Sequence, residues 1–177
     1  MLKKVKKKQA SGFTIVELLI VTVVIAILSA ISVVAYSGIQ ARARDTQRLQ
    51  DITSIAKALE LYKAQTGNYP TAVGNSTGGW EVSSNPNGNH AFLQQLVDAG
   101  VMAKVPVDPV NTGDMTMADA KVYAYYRYPA GQNGCPTPFY ALIVRKGEAS
   151  SGVQGSPYGS CGTYGAGGWW VKIMQDA

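Results

Sequence analysis

Gly12-Phe13-Thr14-Ile15-Val16-Glu17-Leu18-Leu19-Ile20-Val21-Thr22 follows a cluster of lysines and opens an apolar segment that runs to Ala35. Phe13 to Ala35 is 23 residues. A bilayer takes about 20 residues of helix, whereas the core of a cleaved secretory signal is shorter, about 7–15, and ends at a small-x-small site. The segment therefore reads as a membrane span. Glu17 is the only formal charge between Lys8 and Arg42. A carboxylate near the head of an apolar helix is costly unless it reaches the interface or meets a partner. The strongest candidate partner is a positive charge on another copy of this chain.

The charge distribution sets the orientation. The net charge of +5 comes entirely from Lys3, Lys4, Lys6, Lys7 and Lys8, because from Phe13 onward 11 basic residues balance 11 acidic ones. Lysines placed just before an apolar span hold that end in the cytoplasm and send the rest outward. The basic isoelectric point thus gives no basic patch for nucleic acid, and no nucleic-acid partner is expected.

These residues closely resemble the class III signal of type IV pilins and the related pseudopilins: a Lys-rich leader, Gly12, then Phe13-Thr14-Ile15-Val16-Glu17-Leu18-Leu19-Ile20-Val21. The resemblance implies a leader of residues 1–12, cleavage by prepilin peptidase between Gly12 and Phe13, and N-methylation of Phe13. It also implies that Glu17 neutralises the terminal amine of a neighbouring subunit during assembly. Ala26 stands where many relatives have glycine, and Val34 where many have a helix-kinking proline. The residue that would kink the helix there is absent, and the sequence leaves its course at that point open.

Past Gly38, residues Ile39 to Thr66 contain no proline or glycine. Leu49, Ile52, Ile55, Ala56, Leu59 and Tyr62 recur at spacings of three and four, which marks one apolar face. Arg42, Arg44, Asp45, Arg48, Asp51, Lys57, Glu60 and Lys63 are expected on the remaining surface. Gly67 is a candidate C-cap before Asn68-Tyr69-Pro70. The spacing predicts a helix over 13–66, with a membrane-spanning half at 13–35.

Residues 67–177 read as an extracytoplasmic globular domain. Thr71 to Asn89 is a Gly-, Asn-, Ser- and Pro-rich surface loop around Trp80. A short helix is expected over Ala91 to Ala99, followed by the extended Val105-Pro106-Val107-Asp108-Pro109. That connection also resembles pilins and pseudopilins. Strands are expected at Val122–Tyr128, Phe139–Val144 and Trp169–Met174, forming an antiparallel sheet covered by the amphipathic helix face. The fold class is α+β and pilin-like.

Cys135 and Cys161 fall in the part sent outward, where an even pair reads as a disulfide worth roughly 3 kcal/mol. Asp108, Asp114 and Asp119, with Asn111, are hard oxygen ligands of the kind calcium takes. Some pseudopilins bind calcium in their C-terminal loops, but Gly147 to Gly168 holds one acid, Glu148, and no EF-hand spacing exists. Turn and capping roles are expected instead, with no metal or other cofactor. Asn75-Ser76-Thr77 matches a glycosylation acceptor, a pattern common by chance. His90 lacks a nucleophile to activate, and the aromatics in strand alternation read as packing rather than an adhesive surface.

The expected function is that of a non-enzymatic filament subunit of the type IV pilus kind. The alternatives are a pseudopilin of a type II-like secretion or competence system, or a membrane-tethered binding module. Expected partners are copies of itself and other pilins, prepilin peptidase, the inner-membrane assembly platform and membrane lipid. The precursor would be a single-pass inner or cytoplasmic membrane protein with its N-terminus inside. The mature form would lie in an extracellular or cell-surface filament.

Overall fold

A computed structural model describes residues 12–86, 88, 90–132, 135–149 and 170–175. The chain forms two compact units, residues 1–39 and 40–177. The helix α1 (Ile15–Thr66) begins in the first and ends in the second. Its apolar half is rich in β-branched residues, weak helix formers in water, but in lipid only a helix satisfies every backbone group within the segment. Thr22 and Ser32 turn their hydroxyls back onto the carbonyls of Leu19 and Leu28, which hides them from an apolar surrounding. The helix stops where expected. Gly67 adopts φ 83° and donates its N–H to the Lys63 carbonyl at 2.7 Å, and Pro70 follows.

In the second unit, four antiparallel strands lie in the order β1 (Glu81–Val82), β2 (Tyr123–Tyr128), β3 (Phe139–Val144) and β4 (Trp170–Gln175). Tyr123 pairs with Val144 and Tyr128 with Phe139, and Phe139 pairs in turn with Gln175. The two-residue period of β2 and β3 sorts their side chains into two cores. Tyr123, Tyr125, Tyr140, Leu142 and Val144 join Ile52, Ile55, Ala56 and Leu59 of α1. Val122, Ala124, Tyr128, Phe139, Ala141 and Ile143 form the other cluster with Cys135 and Val82. The continuous apolar run of β3 is thus buried on both faces. Two of the inward tyrosines place their hydroxyls on acceptors, as buried phenols usually do. Tyr123 donates to Asp51 at 2.7 Å and Tyr125 to the Pro70 carbonyl at 2.6 Å.

Periodicity misplaced three residues at the start of this face. Leu49, expected inside, is 51% exposed, while Arg48, expected outside, is fully buried and Asp45 is buried with it. The reason is a set of ion pairs. Arg48 donates to Asp108 through Nε (2.7 Å) and Nη2 (3.0 Å), to Asp45 through Nη1 (2.7 Å) and to Glu148 through Nη2 (2.8 Å). Asp45 also accepts the backbone N–H groups of Glu148 and Ala149, and Arg44 grips Glu148 with two bonds. One guanidinium thereby ties α1 to the turn at 108–111 and to the segment after β3. A periodicity count weighs only apolar residues, so it cannot see a charge whose partners lie 60 and 100 residues away.

The expected loop at 71–89 conceals a second device. Asn75 is fully buried; its amide donates to the Val82 carbonyl (3.0 Å) and accepts the Val82 N–H (2.6 Å), standing in for a neighbouring strand along the edge of β1. The Asn75-Ser76-Thr77 triplet is therefore structural in this fold. The short helix α2 (Gln94–Asp98) lies within the expected range.

Arg48→Ala should destabilise the fold by about 3–5 kcal/mol, because it leaves buried carboxylates without their counter-charge; denaturant unfolding measures this. Hydrogen bonds from Arg44 and Arg48 hold the Glu148 carboxyl down to about 2. A depressed carboxylate contributes stability above its unfolded value, about 4.3, and loses it as pH falls towards the folded value. Stability should drop across that window, and less steeply in Glu148→Gln.

Candidate functional site

The head of α1 is organised by two side chains. Thr14 is the N-cap: its hydroxyl accepts the Glu17 N–H at 3.2 Å, while Glu17 Oε2 accepts both the Thr14 N–H and the Thr14 hydroxyl, each at 2.8 Å. This reciprocal arrangement is a capping box, which satisfies donors that a helix start otherwise leaves open. The acid also faces the positive end of the helix dipole. Among the described residues, Glu17 Oε1 has no hydrogen-bond partner, so one oxygen is engaged at home and the other is open to a cation from elsewhere. The spacing Thr14-x-x-Glu17 is itself a capping signal legible in the sequence.

Around this head the first unit gives its side chains nothing to pack on. Phe13 is 81% exposed, Ile15 84% and Leu28 59%. The apolar window of α1 is long enough to cross a membrane and is 0% buried within the chain itself. Such a surface is stable only in lipid or against other apolar helices. Gly12 lies outside regular structure just before the helix, with open space where a Cβ would be.

The other candidates fall in the second unit and scatter. Cys135 is fully buried in the cluster on the sheet face away from α1; Cys161 lies outside the described residues. The three aspartates do not converge. Asp108 serves Arg48, Asp114 caps its own turn through Thr116, and Asp119 pairs with Lys146. Asn111 bonds Ser83. His90 is exposed on a loop. The aromatics pack on one another, with Tyr128 stacked on Phe139 at 4.7 Å and Trp80 tilted over Tyr126 at 5.5 Å.

A family profile described as the prokaryotic N-terminal methylation motif matches residues 7–33. The chain is similar to the type II secretion system core protein G of Pseudomonas aeruginosa, at 30% identity over 73% of this chain and 88% of that protein. It is similar to the core protein G of Aeromonas hydrophila at 28% identity, over 59% of this chain and 70% of that one. Similarity to prepilin peptidase-dependent protein D of Escherichia coli is higher, 40%, but covers only 38% of this chain and 46% of that one. No solved structure matches the chain significantly.

Removing the cap tests the geometry at the helix head. Thr14→Ala should weaken the first turn by about 1 kcal/mol, whereas Thr14→Ser retains most of the capping. Faster amide exchange at Glu17 and Leu18 in detergent micelles, for the alanine variant alone, is the expected reading.

Proposed function

The chain belongs to the pilin-like family of the type II secretion system core protein G, and from that membership we propose that it is a pseudopilin, the subunit of a filament in a type II-like secretion system. The observation that carries this is the apolar half of α1, with a membrane-length window that is unburied within the chain and a carboxylate at its head with one oxygen open. The match to core protein G extends over most of that protein, whereas the match to protein D covers less than half. This favours secretion over a pilus for gripping or motility.

In this reading the precursor sits in the inner membrane with its lysines in the cytoplasm. Prepilin peptidase cuts between Gly12 and Phe13 and methylates the Phe13 amine. The subunit then leaves the bilayer for the filament at the assembly platform, exchanging lipid for the apolar helices of copies of itself. Such a transfer changes little hydrophobic energy, since lipid tails and aliphatic side chains are alike. Specificity must come from elsewhere. The Phe13 amine entering an apolar bundle needs a counter-charge, and in this reading Glu17 Oε1 of a neighbour supplies it. A head-to-tail contact of this kind does not close and so builds a filament. The work is assembly; no catalytic step and no cofactor is required.

Intact-mass analysis of membrane-extracted protein should find a chain starting at methylated Phe13, and one that still begins at Met1 would refute the processing. Glu17→Ala should be cleaved normally, because the peptidase reads the leader and the glycine, yet yield few or no sheared filaments. Normal filament yield from that variant would refute the pairing. Cys135 and Cys161 should be recovered as one disulfide-linked peptide pair, and alkylation of both as free thiols would refute the bond.

A further inference from the structure

Glu81 is a buried acid that neither the filament reading nor the clamp at Arg48 uses. It is fully buried in β1, and no Lys, Arg or His forms an ion pair with it among the described residues. Two backbone groups hold it instead. Oε2 accepts the Val73 N–H at 3.2 Å, and Oε1 accepts the Leu93 N–H at 2.5 Å. Val73 belongs to the segment after α1, and Leu93 to the turn that enters α2. Leu93 has the left-handed backbone φ 48°, ψ 42° and no side-chain cap, a conformation that non-glycine residues adopt only when something holds them. One carboxylate thus fastens two segments and a strained residue.

The turn it holds has a further face. Phe92 and Gln94, on either side of Leu93, line an open groove of about 460 Å³ together with Ser83, Asn85, Val105 and Val107. Any change in the Leu93 turn is therefore a change in a wall of that groove. The ionised form offers both donors full-strength carboxylate acceptors. A proton on either oxygen makes that atom a donor and leaves it a weaker acceptor, so the N–H facing it is held less firmly.

We propose that Glu81 is a proton-operated latch: ionised, it locks the Val73 and Leu93 segments together; protonated, it releases one of them and frees the groove wall. The inference goes beyond the filament reading and does not depend on it. Burial raises the Glu81 carboxyl above the ordinary carboxylate range, the two backbone bonds and His90 pulling the other way. The titratable groups facing it are His90, exposed on the loop, and Tyr125 across the ladder on β2, which itself feels the Arg127 charge and neighbours Tyr62 and Tyr69. The sign is opposite to that of Glu148. A carboxyl raised on folding takes up its proton more readily when folded, so its contribution to stability improves as pH falls through the folded value. The latch therefore opens without unfolding the domain.

The test is a pH titration of the full chain in detergent micelles, with ¹³C in glutamate carboxyls and ¹⁵N in the backbone. Expected is a Glu81 carboxyl midpoint above the ordinary glutamate value of about 4.3, with the Val73 and Leu93 amides moving at that same midpoint. At least one of the two should exchange several-fold faster below it, after correction for intrinsic pH dependence. His90→Asn should raise the shared midpoint, and Glu81→Gln should abolish it. Should Glu81→Gln fail to fold, the wild-type and His90→Asn titrations decide. A midpoint at or below the ordinary value, or amides that stay unmoved while Glu81 titrates, overturns the proposal.

Discussion

A charge taken out of water must meet an opposite charge or a matched set of donors, and this constraint governs the chain at three places. At Arg48 it is met inside the domain by three carboxylates, each in turn held by backbone or arginine donors. At Glu81 it is met by two backbone amides, with no ion pair among the described residues. At Glu17 it is only half met, by Thr14 on one oxygen. The first solution is complete and rigid, the second is complete only while the acid is ionised, and the third is open. That ordering fits a structural clamp at Arg48, the latch proposed for Glu81 and the assembly contact proposed for Glu17.

The helix α1 shows why one element can carry two unlike roles. From Ile52 to Leu59 its inward residues are buried against Tyr123, Tyr125 and Tyr140, so that part is fixed by packing as any core helix is. From Ile15 to Val33 its apolar residues face outward on every side. The helical hydrogen bonds are the same in both halves; only the surroundings each half requires differ. In the proposed assembly, membrane and filament core would be chemically similar solvents for the apolar half, which would let a subunit pass from one to the other.

Much of this was readable in advance because it rests on local pattern. The apolar run at 13–35, the stop at Gly67 and the strands ending at Tyr128 and Val144 are all signals written within a few residues of where they act. The motif that places the chain in its family is equally local. What escaped notice is long-range or polar. Leu49 looked like core and Arg48 like surface because their apolar spacing was counted and the distant acids were not. β1 is two residues long and is recognised only through its pairing with Tyr125 and Ala124 and through Asn75 beside it. The Thr14–Glu17 capping box is different: its spacing was present in the sequence, but the charge of Glu17 drew attention away from its own cap.

Family membership and geometry meet at Glu17. Its intrachain bonds fix the carboxylate at the head of the helix, and in the proposed assembly its second oxygen would meet the amine of a second subunit. Solid-state NMR on filaments assembled from two separately labelled populations addresses this most directly, with ¹⁵N at the Phe13 amine in one and ¹³C at the Glu17 carboxyl in the other. The account predicts magnetisation transfer between the two, reporting an approach within about 4–6 Å across subunits. Transfer found only when both labels sit in the same chain, or none in any mixture, would contradict it.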